Sequence, residues 1–341
     1  MKLDYSRYEL IFREPAITSR STMLTKETYF IKVSDPRVPG GSVVGEVPLF
    51  RGLSAEDSPQ FGQLLADYCR DFTGTQSPWC SSLAFGMESA RDVIARFSHP
   101  VTSTLRIPIN GLVWMGDKRT MYRRIREKLD SGFRCVKLKI GGIGFADELD
   151  LLRFIRREFG SADLELRVDA NGAFLPGDAL EKLKRLSDFE LHSIEQPIKQ
   201  GQWEAMRRLT EFTPVPIALD EELIGSWNNR SDSEMAELLD AIRPQYIILK
   251  PSLCGGFDAA DRWISLAHDR GIGWWATSAL ESNVGLTAIS LWLSKYNVTM
   301  PQGLGTGALY TNNFPSALHL EGDEIVYDPS VVVTPPSLDW L

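Results

Sequence analysis

Val136-Lys137-Leu138-Lys139-Ile140, Leu166-Arg167-Val168-Asp169-Ala170-Asn171, Ser193-Ile194-Glu195-Gln196-Pro197, Ile217-Ala218-Leu219-Asp220-Glu221 and Ile247-Ile248-Leu249-Lys250-Pro251 are short apolar runs that each carry charge at or near their ends. They recur at intervals of about 25 to 30 residues, the length of one strand–helix unit in a parallel α/β fold. A charge at the C-terminal end of a barrel strand points into the mouth of the barrel, where such enzymes do their chemistry. Three carboxylates there suggest a hard divalent cation, and lysines on either side suggest proton transfer.

Helical patterns separate these runs, at Arg119 to Leu129, Ala146 to Glu158, Ala179 to Leu186, Trp203 to Glu211, Ser233 to Ile242, Asp258 to His268 and Val284 to Leu293. Further strands are expected at Ile107 to Met115, Trp274 to Ser278 and Gln302 to Gly305. The total is about eight strands with helices between them, the count of a (β/α)8 TIM-type barrel. Ahead of it, strands at Tyr8 to Phe12, Thr28 to Val33 and Val43 to Leu49 precede helices at Ala55 to Phe72 and Ser81 to Phe97. The expected organisation is an α+β capping domain over residues 1–106 and a catalytic barrel over 107–308. A segment over 309–341, with a strand at Glu324 to Tyr327, is expected to pack back on the capping domain.

A length of 341 residues accommodates a barrel of about 250 residues and a smaller domain. The net charge of −8 argues against a nucleic-acid partner, since phosphate binding needs a basic face. It leaves room for a small anionic carboxylate substrate, because a bound cation and a few lysines reverse the field locally. No apolar run has the length of a membrane span, and Met1 to Glu9 has no signal-peptide core. The four cysteines show no metal-ligand spacing, so a cytoplasmic location with free thiols is expected. The sequence leaves any oligomeric partner open.

Asp169, Glu195 and Asp220 end three consecutive strands, which leaves positions on a cation open for substrate oxygens. Independent helix caps would explain any one of them, but not three in succession. Lys137 and Lys139 are two apart, so both point to one face of their strand. If that face is the barrel interior, each ammonium lowers the other's proton affinity and prepares a base. A solvated strand edge is the competing reading, and the flanking Val136, Leu138 and Ile140 oppose it. Lys250 sits across the barrel from the pair.

Lys-x-Lys, then Asp, Glu and Asp on the next three strands, then Lys-Pro on the sixth resembles the enolase superfamily, in its muconate-lactonizing-enzyme subgroup. The resemblance covers essentially the whole chain. It implies Mg2+, with Mn2+ as a substitute, held by Asp169, Glu195 and Asp220. It also implies Lys139 as the base that removes a proton α to a carboxylate, with Lys250 on the opposite face. Three details are similar to the o-succinylbenzoate synthase family: Arg167 two before the first acidic residue, the segment Ser278 to Gly285, and Gly303-Leu304-Gly305-Thr306 where dipeptide epimerases carry Asp-x-Asp. The last implies a substrate without a free amine.

Such a resemblance implies a carbon–oxygen hydro-lyase of menaquinone biosynthesis. Its reaction is the syn-dehydration of 2-succinyl-6-hydroxy-2,4-cyclohexadiene-1-carboxylate to o-succinylbenzoate. Asn171 and Lys137 are expected to orient a metal ligand and the base, and Ser278 and the backbone near Gly255 to meet the succinyl group. Arg20, in a candidate lid loop at Thr18 to Thr22, is expected to reach a carboxylate. An N-acylamino acid racemase or a muconate-type cycloisomerase is the alternative within the fold, and a non-catalytic binding barrel the alternative outside it.

Overall fold

The computed structural model describes residues 2–17, 22–334 and 336–341. Residues at the start form an antiparallel meander of β1 (Leu3–Ile17), β2 (Thr22–Ser34) and β3 (Ser42–Val47), followed by α1 (Phe61–Asp71) and α2 (Ser81–Ser98). Alternation along β2 sends Tyr29, Ile31 and Val33 to one face, where they pack with Phe61 and Leu65 of α1 and Leu83 of α2. Phe30 points the other way and meets Tyr8 and Phe314. The strands run longer than the apolar pattern alone suggests. Helix α1 begins later than the expected Ala55, because Pro59 restricts Ser58 and residues ahead of Phe61 form turns.

The remaining elements alternate: β4 (Leu105–Pro108), β5 (Gly111–Val113), α3 (Lys118–Asp130), β6 (Cys135–Lys139), α4 (Phe145–Glu158), β7 (Glu165–Asp169), α5 (Pro176–Leu186), β8 (Ser193–Glu195), α6 (Trp203–Phe212), β9 (Ile217–Leu219), α7 (Asp232–Ile242), β10 (Tyr246–Leu249), α8 (Gly256–His268), β11 (Gly273–Ala276) and α9 (Asn283–Leu293). The hairpin β12 (Leu318–Glu321) and β13 (Glu324–Tyr327) completes the chain's regular structure. Strands β5 to β11 form one parallel sheet in sequential order. Single parallel bridges, Ile109 with Gln302 and Thr277 with Gly303, make residues 302–303 an eighth strand that joins the two edges. This is a (β/α)8 TIM-type barrel capped by an α+β domain.

Where one strand was expected over Ile107 to Met115, the chain changes partners at Ile109 and Asn110, whose backbone N–H groups donate to the Asp323 and Gln302 carbonyls. β4 pairs with β13 of the C-terminal hairpin, whereas β5 joins β6. The tail has two destinations. Its hairpin holds the N-terminal end of the barrel through β4, with Arg134 at the start of β6 paired to Asp323. Tyr310 and Thr311 instead bond to Phe12 and Ile11 of β1, and Leu341 to Tyr5.

Strand alternation decides what the barrel holds. Val136, Leu138, Leu166, Val168, Ile194, Ile217, Leu219, Ile247 and Leu249 are buried outward in the large core under the helices. Lys137 and Lys139, Arg167 and Asp169, Ser193 and Glu195 take the alternate, inward positions. The register places Lys139 level with Asp169, and Asp169 level with Glu195. One layer lower, Arg167 stacks on Trp275 at 4.3 Å, pairs with Glu165 at 2.6 Å and donates to the Pro301 carbonyl. That layer, with Ala218 and Ile248 beside Trp275, is a packed floor. No helix among the described residues is long and apolar enough to cross a membrane.

Candidate active site

A cavity of about 500 Å³ opens at the C-terminal ends of the barrel strands, beneath the capping domain. Lys137, Lys139, Asp169, Asn171, Glu221 and Lys250 line its charged side. Met23, Phe50 and Leu53 of the capping domain and Leu112, Trp114 and Leu280 of the barrel supply apolar walls. An apolar cavity with a few convergent polar groups is the usual form of a small-molecule site.

The carboxylates and lysines interlock. Lys139 Nζ lies 2.9 Å from Asp169 Oδ2 and 2.7 Å from Asn171 Oδ1. Lys137 Nζ lies 3.0 Å from the same Asp169 oxygen and also contacts Glu195 Oε2. Lys250 pairs with Asp220 from the far side. Asn171 holds the arrangement from above: its backbone N–H donates to Asp169 Oδ1 at 2.9 Å, and its side-chain Nδ2 donates to Glu221 at 3.2 Å. Asn171 and Gln196 both adopt positive φ, 46° and 39°, immediately beyond β7 and β8. Left-handed backbone at such positions costs energy and concentrates at functional sites, and Asn tolerates it well.

Burial and charge pull against each other here. Burial alone would lower the Lys137 pKa, yet the carboxylates of Asp169, Glu195 and Asp220 hold it above the ordinary lysine value. Lys250 is likewise raised, burial being outweighed by Asp220, Glu195 and Glu221. For Lys137 this corrects the expectation of a mutually depressed lysine pair, since carboxylates outweigh the second ammonium. Burial would raise Asp169, but Lys137 and Lys139 hold it well below the carboxylate range. Glu195 is raised by burial and by the neighbouring Asp169 charge.

Not every expected site residue reaches the cavity. Arg167 faces inward like Asp169 but lies one layer down, committed to Glu165, Pro301 and Trp275, and it does not line the cavity. Two residues along a strand is about 7 Å, enough to bury it in the floor. Gly255 caps α8 with φ 106°, and a side chain there would collide with the Asn228 backbone. Its place is structural, away from the cavity lining. Ser278 does line the cavity, but its hydroxyl donates to Glu281 at 2.7 Å and accepts from Leu280 N and Thr306 Oγ1, so it is fully occupied. Arg20 lies outside the described residues.

The sequence reading missed Asn110 and Trp114, which line the cavity from the first barrel strand. It also missed Glu281, whose carboxylate gathers Ser252, Ser278 and Ala279 N. The alternation of Asn110, Leu112 and Trp114 was the available signal.

A divalent cation suits this donor set. Asp169, Glu195 and Asp220 offer only oxygen, and Glu195 Oε1 and Asp220 Oδ1 are enclosed without a hydrogen-bond partner. Among the described residues no three acidic, His or Cys side chains converge into a ready ion cage, the lysine ammonium groups standing among the carboxylates. The fit rests on donor chemistry and on those unpaired oxygens.

Residues 120–322 match the family model of enolase C-terminal domain-like proteins. The chain is 46% identical to the o-succinylbenzoate synthase of Desulfotalea psychrophila over 94% of its own length and 98% of that protein. The crystal structure of MenC from Desulfotalea psychrophila superposes with a TM-score of 0.81 at 42% identity, covering 95% of this chain and 99% of the other. The o-succinylbenzoate synthase of Thermosynechococcus elongatus, solved with Mg in its active site, shares the fold at 22% identity, with a TM-score of 0.72 over 89% of this chain and 92% of that one. The chain belongs to the enolase C-terminal domain-like family and, within it, to the o-succinylbenzoate synthase family.

Proposed function

We propose that this protein is a Mg2+-dependent hydro-lyase that dehydrates 2-succinyl-6-hydroxy-2,4-cyclohexadiene-1-carboxylate to o-succinylbenzoate, acting in the cytoplasm in menaquinone biosynthesis. The observation that carries the choice within the fold is a neutral wall. Across the barrel from the carboxylates, Gly303, Gly305 and Thr306 line the cavity and bring no acidic group to hold a substrate ammonium.

Asp169, Glu195 and Asp220 would hold the cation. When bound, it supplies Lewis-acid polarisation of the substrate carboxylate. Lys139 removes the proton from the carbon next to that carboxylate, and the C–H electron pair passes into the enolate. Asn171 and Asp169 hold the Lys139 ammonium in place once it has formed, through contacts of 2.7 and 2.9 Å. Lys139 then returns the proton to the departing hydroxyl on the same face. The C–O bond breaks, water leaves and the ring becomes aromatic. Lys250 faces the substrate from the other side and stabilises the negative charge as it builds. Lys137 bridges Asp169 and Glu195 and offsets the repulsion between them.

The placement of lysines on both sides of one cavity also suits an N-acylamino acid racemase, which uses both faces. Incubation with each substrate in D2O and Mg2+ separates the readings. An ultraviolet-absorbing aromatic product supports the dehydration. Deuterium washed into recovered N-succinylamino acid, with no aromatic product, would replace it by racemisation.

A further inference from the structure

The cavity wall opposite the metal-binding strands contains a strained residue. In the closed barrel, β7, β8 and β9 face β11, residues 302–303 and β5. Ser278, Ala279 and Leu280 line the cavity just beyond β11, and Leu280 adopts φ 64°. Left-handed backbone is uncommon for a residue with a Cβ and persists only where its surroundings over-determine it. Three bonds fix this turn from the barrel and its tail. Leu280 N donates to Ser278 Oγ at 2.9 Å, Ala279 N donates to Glu281 Oε2 at 2.8 Å, and Tyr310 Oη donates to the Leu280 carbonyl at 2.7 Å. The residues that follow are held from the other domain. Glu46, on β3 of the capping domain, is fully buried. Its Oε1 accepts from Ser282 N at 3.0 Å, and its Oε2 accepts from Ser282 Oγ at 2.6 Å and from Gly285 N at 2.9 Å. Thr28 Oγ1, on β2, donates to Glu46 Oε1 at 2.9 Å and fixes the carboxylate within its own domain.

The contact is close on the barrel side as well. A Cβ on Gly285 would lie 2.8 Å from Glu46 Oε2 and 2.8 Å from Glu281 Cβ. Ser282 directly follows Glu281, so the capping-domain carboxylate grips the chain two residues beyond the strained turn. We infer that Glu46 is a positioning residue for the substrate-binding wall: through Ser282 and Gly285 it lets the capping domain hold the Leu280 turn in its left-handed form. The kinetic consequence rests on the dehydration reading. Without those bonds the turn relaxes toward ordinary backbone, Ala279 and Leu280 leave the places that shape the cavity, and substrate binding weakens. Lys139 and Lys250 keep their own carboxylate partners, Asp169 and Asp220, so proton transfer retains its geometry.

The test compares steady-state dehydration kinetics of the wild type, Glu46→Met, Gly285→Ala and the double variant. Glu46→Met keeps the length of the side chain and removes both acceptors, and Gly285→Ala pushes the same contact apart from the barrel side. Each single variant is expected to raise KM about tenfold with kcat within about threefold. The double variant should raise KM about as much as one single variant, rather than about a hundredfold, because both changes break one contact. Hydrogen exchange of the free protein supplies a second readout. Amides of residues 278–285 should exchange about tenfold faster in both single variants, with those of α5 unchanged. If one single variant does not fold, the other decides. An unchanged KM, whether stability or kcat falls or not, would make Glu46 merely structural and overturn the inference. So would a multiplicative rise of KM in the double variant, or exchange that quickens throughout the barrel. A wild type that does not dehydrate the substrate would sink the functional reading, and exchange then decides alone. Faster exchange confined to 278–285 would support the grip of Glu46 on the turn, and unchanged exchange would overturn it.

Discussion

Replacing Glu88 by Gln is expected to remove a pH dependence of stability from the neutral range. Glu88, on α2, accepts hydrogen bonds from Phe257 N and Asp258 N at the first turn of α8, so it ties the capping domain to the helix that follows Lys250. Two effects oppose each other there. Burial and the neighbouring Asp258 charge favour the neutral carboxyl, while the helix amides favour the anion. Burial wins, and the Glu88 pKa is pushed up to about 8. In the unfolded chain the same group titrates near the ordinary glutamate value of about 4.3. Between those values the folded protein keeps a proton that the unfolded chain has released. The contribution to stability is therefore complete below about pH 4 and declines as pH rises through about 8, by at most roughly 4–5 kcal/mol in total. Urea midpoints of wild type and Glu88→Gln, compared from about pH 5 to about pH 9, isolate this group because other titrations cancel in the difference. The variant should gain on the wild type as pH rises, by up to about 1.4 kcal/mol per pH unit. Parallel curves, or a wild type that gains on the variant, would show that the helix amides hold Glu88 ionised and would refute the reasoning.

Arg167→Met should destabilise the fold by about 3–5 kcal/mol, since it strands Glu165 and the Pro301 carbonyl and removes the stack on Trp275. The KM of the folded enzyme should stay within about twofold, because no substrate contact is lost; a large KM rise in a stable variant would place Arg167 in the site after all. Asn171→Ala removes an acceptor from Lys139 and a donor to Glu221, while the backbone N–H of residue 171 can still donate to Asp169. Steady-state kinetics should show kcat reduced about 10- to 100-fold with a smaller change in KM, and an unaltered kcat would contradict its orienting role.

The barrel was legible because each inward charge sits at a strand end and the spacing of the strand–helix units is regular. Lys139, Asp169, Glu195, Asp220 and Lys250 meet as the alternation of side chains requires. Depth along a strand was less legible. Arg167 shares a face with Asp169, and only the packing of Trp275 beneath the cavity shows that it belongs to the floor. Satisfaction was not legible at all. The occupied hydroxyl of Ser278 depends on Thr306, 28 residues further on, as well as on the nearby Glu281, and nothing in the sequence marks Asn110 Oδ1 as unpaired. The break between β4 and β5 was not legible either, because the pairing of β4 with the C-terminal hairpin is a tertiary choice.

The account turns on Lys139 as the base, and the most direct measurement is Mg2+-dependent dehydration by Lys139→Ala beside the wild type. The wild type should form the aromatic product, and the variant should lose turnover by about 10²- to 10⁴-fold while melting at a similar temperature. A folded Lys139→Ala that retains turnover within about tenfold of the wild type would contradict the account.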